Sequence, residues 1–209
     1  SFVKLIIFFT RPKPSGGRRI VANLPSCYRV YTRARVDLIR HWDSFNTDGA
    51  PFFYGGENKG SIDAVYDASM EDSFAAINGC VSVSAIGDIQ KCFEKVPYQQ
   101  LITKCIQSRY PVRILGVCLA MYQSMRCVQV GNATAGSVVT NHGVAAGCTL
   151  ACFIIRAYLK TDLVSFVDEH LVWSAVFAYK LTVYVDDLRF KSLERVSTAP
   201  FRERLRLSR

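Results

Sequence analysis

Residues 181–190 read Leu-Thr-Val-Tyr-Val-Asp-Asp-Leu-Arg-Phe, an apolar run that stops at two adjacent carboxylates, Asp186 and Asp187, and then resumes. Leu181, Val183 and Val185 alternate with Thr182 and Tyr184, which is the period of a half-buried strand, and the aspartates fall where a tight hairpin reverses the chain. Neighbouring strand residues point to opposite faces, but a turn lets both carboxylates lean toward one pole. Anions this close repel each other, and a divalent cation screens them best. An isolated Asp-Asp pair is more often an exposed hairpin turn, so the rest of the chain has to decide. A third carboxylate, Asp88, follows the alternating run 80–86 and Gly87. The carboxyl end of a strand is where open sheets place chemistry, and a lone aspartate there equally suits a helix cap.

The elements that must position these groups are legible along the chain. Residues 3–9 and 20–24 are apolar runs flanking a glycine-containing tip with Arg11, Lys13, Arg18 and Arg19, so a hairpin with a basic tip is predicted. Such a tip either folds over a phosphate chain or is simply solvated. Residues 28–45 predict an amphipathic helix with Val30, Ala34, Leu38 and Trp42 on its apolar stripe and Arg29, Arg33, Arg35 and Arg40 between. A Gly/Asp/Asn-rich loop leads to a helix over 62–77, with Ser61 as its N-cap. Helices follow over 98–109 and 111–124, then a strand pair 126–130 with 137–139. Residues 141–148, Asn-His-Gly-Val-Ala-Ala-Gly-Cys, form a glycine-punctuated loop feeding an apolar helix over 149–167. His142 has no Cys or His at ligand spacing and reads as a loop histidine. From Lys191 to Arg209 the chain becomes strongly basic and loses periodicity.

The formal net charge of +9 points to a polyanionic partner, nucleic acid before membrane, because no basic amphipathic anchor is evident. Half the residues are hydrophobic, enough for a core in one large domain or two small ones. Eight cysteines are scattered without a CxxC pair, most of them inside apolar runs. That favours reduced thiols in an intracellular compartment over a disulfide framework or a zinc site. The run 3–9 is too short for a membrane span or a signal-peptide core. The chain does not begin with Met and reads as a fragment.

In order, the blocks are a basic hairpin, a strand-Asp segment with an aromatic five residues on, a glycine loop entering a helix, and Tyr184-Val185-Asp186-Asp187. This succession resembles the fingers and palm of reverse transcriptases, closest to the non-LTR retroelement and group II intron type, and it covers nearly the whole chain. The resemblance implies an α+β fold: a polymerase palm, a small antiparallel sheet backed by helices, with a partial fingers subdomain and no thumb. It divides the chain into a fingers-like region (1–80), a palm with the catalytic motifs (81–190) and a basic tail that marks a truncation (191–209). It implies nucleotidyl transfer from a dNTP to a primer 3′-hydroxyl, with Asp88, Asp186 and Asp187 catalytic. Together with the Ile89 carbonyl, these aspartates would hold two magnesium ions, or manganese in their place; hard oxygen ligands suit both. By the same resemblance Lys13, Arg18, Arg19, Phe93 and Gly147 contact the nucleotide, Phe93 as an obstruction to a 2′-hydroxyl. Tyr184 and Gly143 contact an RNA template and a DNA or RNA primer.

Two departures accompany the likeness. Ala145-Ala146-Gly147 stands where the family commonly has Pro-Gln-Gly, and Ile20 replaces a fingers proline. A catalytically dead nucleic-acid-binding remnant and an RNA-dependent RNA polymerase palm are the alternative readings, and the aromatic at Phe93 argues against the second.

Overall fold

The computed structural model describes residues 5–12, 18–48, 50–56, 59–170 and 177–195. The chain divides into two compact units, each built from two stretches of sequence. One comprises Ser1–Pro51 with Ile89–Val164, the other Phe52–Asp88 with Ser165–Arg209.

In the first unit, β1 (Leu5–Pro12) and β2 (Arg18–Asn23) form the expected antiparallel hairpin. The helix α1 (Ser26–Asp48) follows. In the second unit come α2 (Ser61–Ile77) and β3 (Cys80–Asp88). The chain then returns to the first unit with α3 (Tyr98–Gln107), α4 (Val112–Tyr122), β4 (Met125–Val130), the two-residue β5 (Ala133–Thr134) and most of α5 (Ala151–His170). The second unit is completed by β6 (Phe177–Tyr184) and β7 (Asp187–Arg195). Among the described residues no helix is long and apolar enough to cross a membrane.

The first unit's sheet has strand order β2-β1-β4-β5, with β1 and β4 parallel. Sequence periodicity gives both strands but not their pairing, because a parallel partner this far along the chain is selected by packing rather than by a turn. The predicted partner for residues 126–130 was the run 137–139. The structure instead gives β5 and a single bridge at Val138, whose N–H and carbonyl both bond Arg126 at 2.8 Å.

α1 departs further from its predicted face. Val30 and Leu38 are exposed, while Tyr28, Thr32, Ile39, Asp43 and Asn46 are buried. The inward stripe carries polar residues because α5 supplies their partner. Arg156 is 4% exposed and donates Nε to Asp43 Oδ1 at 3.0 Å and Nη2 to Asp43 Oδ2 at 2.8 Å. A planar guanidinium matches a carboxylate in this two-pronged way, and two buried charges persist only as such a pair. The basic residues Arg33, Arg35 and Arg40 stay on the exposed side as expected.

In the second unit β3, β7 and β6 form a wholly antiparallel sheet in that order. α2 packs on the face bearing Lys180, Arg189 and Lys191. The Lys191 ammonium is buried and bonds the Ala68 carbonyl at 3.0 Å, Asp72 at 2.7 Å and Glu71 at 3.2 Å. Hydrogen bonds from Lys191, then Ser82, hold the Asp72 carboxyl below the usual carboxylate range. Residues 191–195, expected to open an aperiodic tail, are therefore the second half of β7. They pair with β6 on one side and β3 on the other, and Lys191 finds its charged partners on α2. On the opposite face Phe190 meets Phe166 of α5 edge-on at 5.6 Å. Residues 196–209 lie outside the described residues.

The buried pair yields a test. Asp43→Leu alone strands Arg156 in the core and should lower unfolding free energy by about 3–5 kcal/mol. The double variant Asp43→Leu/Arg156→Met should recover most of that loss, as read from urea midpoints. Equal losses in the single and double variants would show that shape at this site matters more than charge.

Candidate functional site: a carboxylate hairpin and a strapped glycine loop

The second unit carries the three aspartates at one end of its sheet. β6 and β7 are joined by a two-residue turn, Val185 and Asp186, with Tyr184 paired to Asp187. On the far side of β7, Asp187 pairs with Asp88, the last residue of β3. One cross-strand row thus reads Asp88, Asp187, Tyr184, and side chains in one such row share a face. Asp186 occupies the turn beside that row. Like charges directly opposite each other weaken a ladder, and here both carboxylates are exposed, where water or a cation screens them.

Val185 adds strain to the same hairpin. Its φ is 58°, a left-handed conformation in which a β-branched side chain crowds its own backbone. Nothing in the residue favours that conformation. The hairpin imposes it, and leaves Asp186 at the apex.

The site's donor chemistry fits a hard divalent cation: carboxylate oxygens, two of them facing across a ladder and a third on the adjoining turn. Among the described residues no three His, Cys, Asp or Glu side chains stand close enough together to hold one ion. The Ile89 carbonyl, expected as a further ligand, accepts the Cys92 N–H at 3.1 Å within the turn after β3.

The residues expected at the nucleotide fall in the first unit. Phe93 is half-buried and packs against that unit's core. Its carbonyl accepts the Val144 N–H at 2.7 Å, and the Val96 carbonyl accepts the Gly143 N–H at 2.8 Å, so residues 93–96 and the glycine loop are laced together. Gly143 has φ +90°, and a Cβ there would stand 2.9 Å from the Glu94 carbonyl oxygen. Gly147 has φ +114°, and its Cβ would stand 2.7 Å from the Ala22 carbonyl oxygen. Both positions require glycine, and the neighbour that comes close is the protein's own backbone. The Ala22 N–H also bonds the Ala146 carbonyl at 2.8 Å, fixing β2 to the loop.

Sequence reasoning missed the group that holds this loop. Arg126 Nη2 donates to the Tyr98 hydroxyl at 2.6 Å, the Tyr122 carbonyl at 2.7 Å and the Gly143 carbonyl at 3.0 Å. An arginine in a strand pattern is normally a solvated side chain, and no spacing rule would have singled it out. Tyr28 is likewise within 3.2 Å of the Cys148 sulfur at the loop's end. His142 is exposed and bonds Asn141, as a loop histidine should.

A concavity of about 640 Å³ opens beside Gly147, lined by Phe9, Thr10, Asn23, Leu24 and Arg29 among others. Among the described residues, Arg29 is the cation that lines it. Lys13 lies outside the described residues; the backbones of Arg18 and Arg19 belong to β2, and nothing is described of their side chains.

The family model for reverse transcriptase (RNA-dependent DNA polymerase) matches residues 11–198, and the chain belongs to that family. Its fold is similar to that of telomerase from Candida tropicalis in complex with a TWJ fragment of telomeric RNA. The TM-score is 0.61 at 14% identity, over 99% of this chain and 38% of that one. Apo telomerase from Candida tropicalis truncated from its C-terminal domain gives a TM-score of 0.57 at 14% identity, over 91% and 44%. Telomerase from Candida albicans with the same kind of RNA fragment gives 0.57 at 14%, over 100% and 39%. The chain thus spans less than half the length of these telomerases. No curated protein matches the sequence.

Relieving the turn should be measurable. Val185→Gly removes the left-handed penalty at a modest entropic cost in the unfolded chain, and should stabilise the protein by about 1 kcal/mol. A raised melting temperature checks it; an unchanged or lowered one would mean that Val185 gains more from packing than it loses in backbone strain.

Proposed function

We propose that this chain is the polymerising part of an RNA-directed DNA polymerase, joining a deoxynucleotide to a primer 3′-hydroxyl on an RNA template. The observation that carries the reading is the register that sets Asp88 opposite Asp187 with Asp186 on the adjoining turn, within a chain of this family. Asp88, Asp186 and Asp187 would hold the divalent ions, which when bound activate the attacking hydroxyl and neutralise the triphosphate. The chain's own residues do the positioning. The β3–β7 ladder fixes two carboxylates at one edge, and the strained turn presents the third. Arg126 and Tyr98 hold the glycine loop against residues 93–96, which sets where the Phe93 ring stands. That ring would exclude a ribonucleotide's 2′-hydroxyl. Lys13, Arg18, Arg19 and Arg29 would supply positive charge to phosphates, in keeping with the net charge of +9. The motif order supports an origin in a non-LTR retroelement or group II intron, and eight cysteines outside any disulfide support a reducing, intracellular location.

Two measurements bear on this reading. Primer extension on a poly-rA template with magnesium should occur with the wild type and fall at least a hundredfold in Asp186→Ala, with the melting temperature little changed. Incorporation that survives the substitution would remove the carboxylates from the chemistry, and none by a well-folded wild type would favour a binding remnant. Phe93→Ala should raise incorporation of ribonucleotides relative to deoxynucleotides by about tenfold or more, since a steric block is worth a few kcal/mol. An unchanged ratio would show that Phe93 serves the core alone.

A further inference from the structure

In the second unit's sheet, β6 is the outer strand, and its free edge is covered just before the carboxylate turn. Backbone polar groups along a strand alternate between the neighbours on its two sides. Those of Val183 turn away from β7 and are taken by residues 52–54. The Val183 N–H donates to the Phe52 carbonyl and the Tyr54 N–H donates to the Val183 carbonyl, both at 2.8 Å. Phe53 bridges Val183 in parallel between these two bonds. Phe52, Phe53, Tyr54, Leu181 and Val183 are all buried. Residues 52–54 therefore form a short strap on β6, in a stretch that reads as loop in the sequence.

A strap held by two backbone hydrogen bonds needs an anchor, and Tyr54 supplies it. Alternation sets Phe53 beside Val183 on one face of the sheet and turns Tyr54 to the other, which α2 covers. There the Tyr54 hydroxyl donates to Asp67 Oδ2 at 2.5 Å, and the Lys59 ammonium lies over its ring at 5.4 Å. What the strap steadies is the strained turn. Val183 stands two residues before Val185, whose φ of 58° persists only where the surroundings over-determine it. β7 holds the hairpin from one side, and the end of a sheet held on one side frays readily. The strap holds it from the other.

We propose that Tyr54 is a positioning residue for nucleotidyl transfer: its bond to Asp67 locks residues 52–54 onto Val183, and the locked strap keeps the Val185-Asp186 turn in the conformation that sets Asp186 beside the Asp88–Asp187 row. This rests on the polymerase reading above and adds to it a residue that touches neither nucleotide nor metal. The turn's strain and the strap's bond are the two sides of one balance. A turn relieved of its strain has no need of the strap.

The test uses the full chain. Tyr54→Phe removes the hydroxyl and keeps the ring, and Asp67 is only half-buried, so water takes up its freed oxygen and the melting temperature should fall by about a degree or two at most. In primer extension, kcat should fall at least tenfold while KM for the deoxynucleotide stays within about twofold, since a misplaced carboxylate harms the chemistry rather than nucleotide binding. In a Val185→Gly background, where the turn takes its angles without strain, the same substitution should cost kcat less than about twofold. Asp67→Asn, which keeps an acceptor for the hydroxyl, should restore what Asp67→Leu loses. An equal kcat loss in both backgrounds, or a loss confined to KM or to melting temperature, would overturn the proposal. Amide exchange decides the strap apart from the polymerase reading: the Val183 N–H should exchange at least tenfold faster in Tyr54→Phe, with no metal or substrate present. A wild type that incorporates nothing defeats the polymerase reading, whereas an unchanged Val183 exchange rate defeats the strap, whatever the activity.

Discussion

The second unit depends on one register. Antiparallel pairing of β3 with β7 leaves Asp88 across from Asp187 at the end of the ladder, while the ammonium of Lys191 is buried under α2 four residues further along. A slip of one residue would move Lys191 to the opposite face, away from Glu71 and Asp72, and would separate the aspartates. The buried cation and the paired anions are therefore two consequences of the same alignment. A core apolar contact tolerates small shifts, whereas an ammonium buried with two carboxylates and a backbone carbonyl has one satisfactory position, so the ion network pins the register that the carboxylates need.

The same logic, with neutral groups, governs the glycine loop of the first unit. Gly143 and Gly147 lie where a side chain would strike the backbone of residues 94 and 22. Arg126 then satisfies the carbonyls that this close packing turns inward, those of Tyr122 and Gly143. A loop drawn that tightly against two neighbouring segments has few alternative conformations. Residues 93–96 and the glycine loop are thus fixed to each other by main-chain hydrogen bonds, and their spacing does not rely on side-chain rotamers.

Charge is distributed unevenly along the chain. Arg11, Arg18, Arg19, Arg29, Arg33, Arg35 and Arg40 fall in β1, β2 and α1, while the charged residues of 61–90 are all acidic. The acidic stretch supplies α2, whose Glu71 and Asp72 hold the sheet's cations, and ends in Asp88 itself. A single value of net charge conceals this division.

Much was legible in the sequence. The period-2 runs and their punctuation located β1, β2, β3 and β6, and the Asp pair in a run of alternating residues located the hairpin, because turn chemistry and strand period are local properties. The glycine loop was legible as a place of close backbone approach, although the segments that approach Gly143 and Gly147 are the chain's own residues 94 and 22. What the sequence could not give is which segment each one meets. The parallel pairing of β1 with β4, the inward face of α1, the burial of Lys191 under α2 and the role of Arg126 each depend on at least one partner well separated along the chain. Val30 and Leu38 looked like the core stripe of α1 by hydrophobicity, and Asp43 took their place because Arg156, 113 residues on, made a buried carboxylate favourable. Local pattern reports what a residue prefers when its surroundings are average. The tertiary structure decides the exceptions, because a charge or a close backbone approach is settled by the one neighbour the fold supplies.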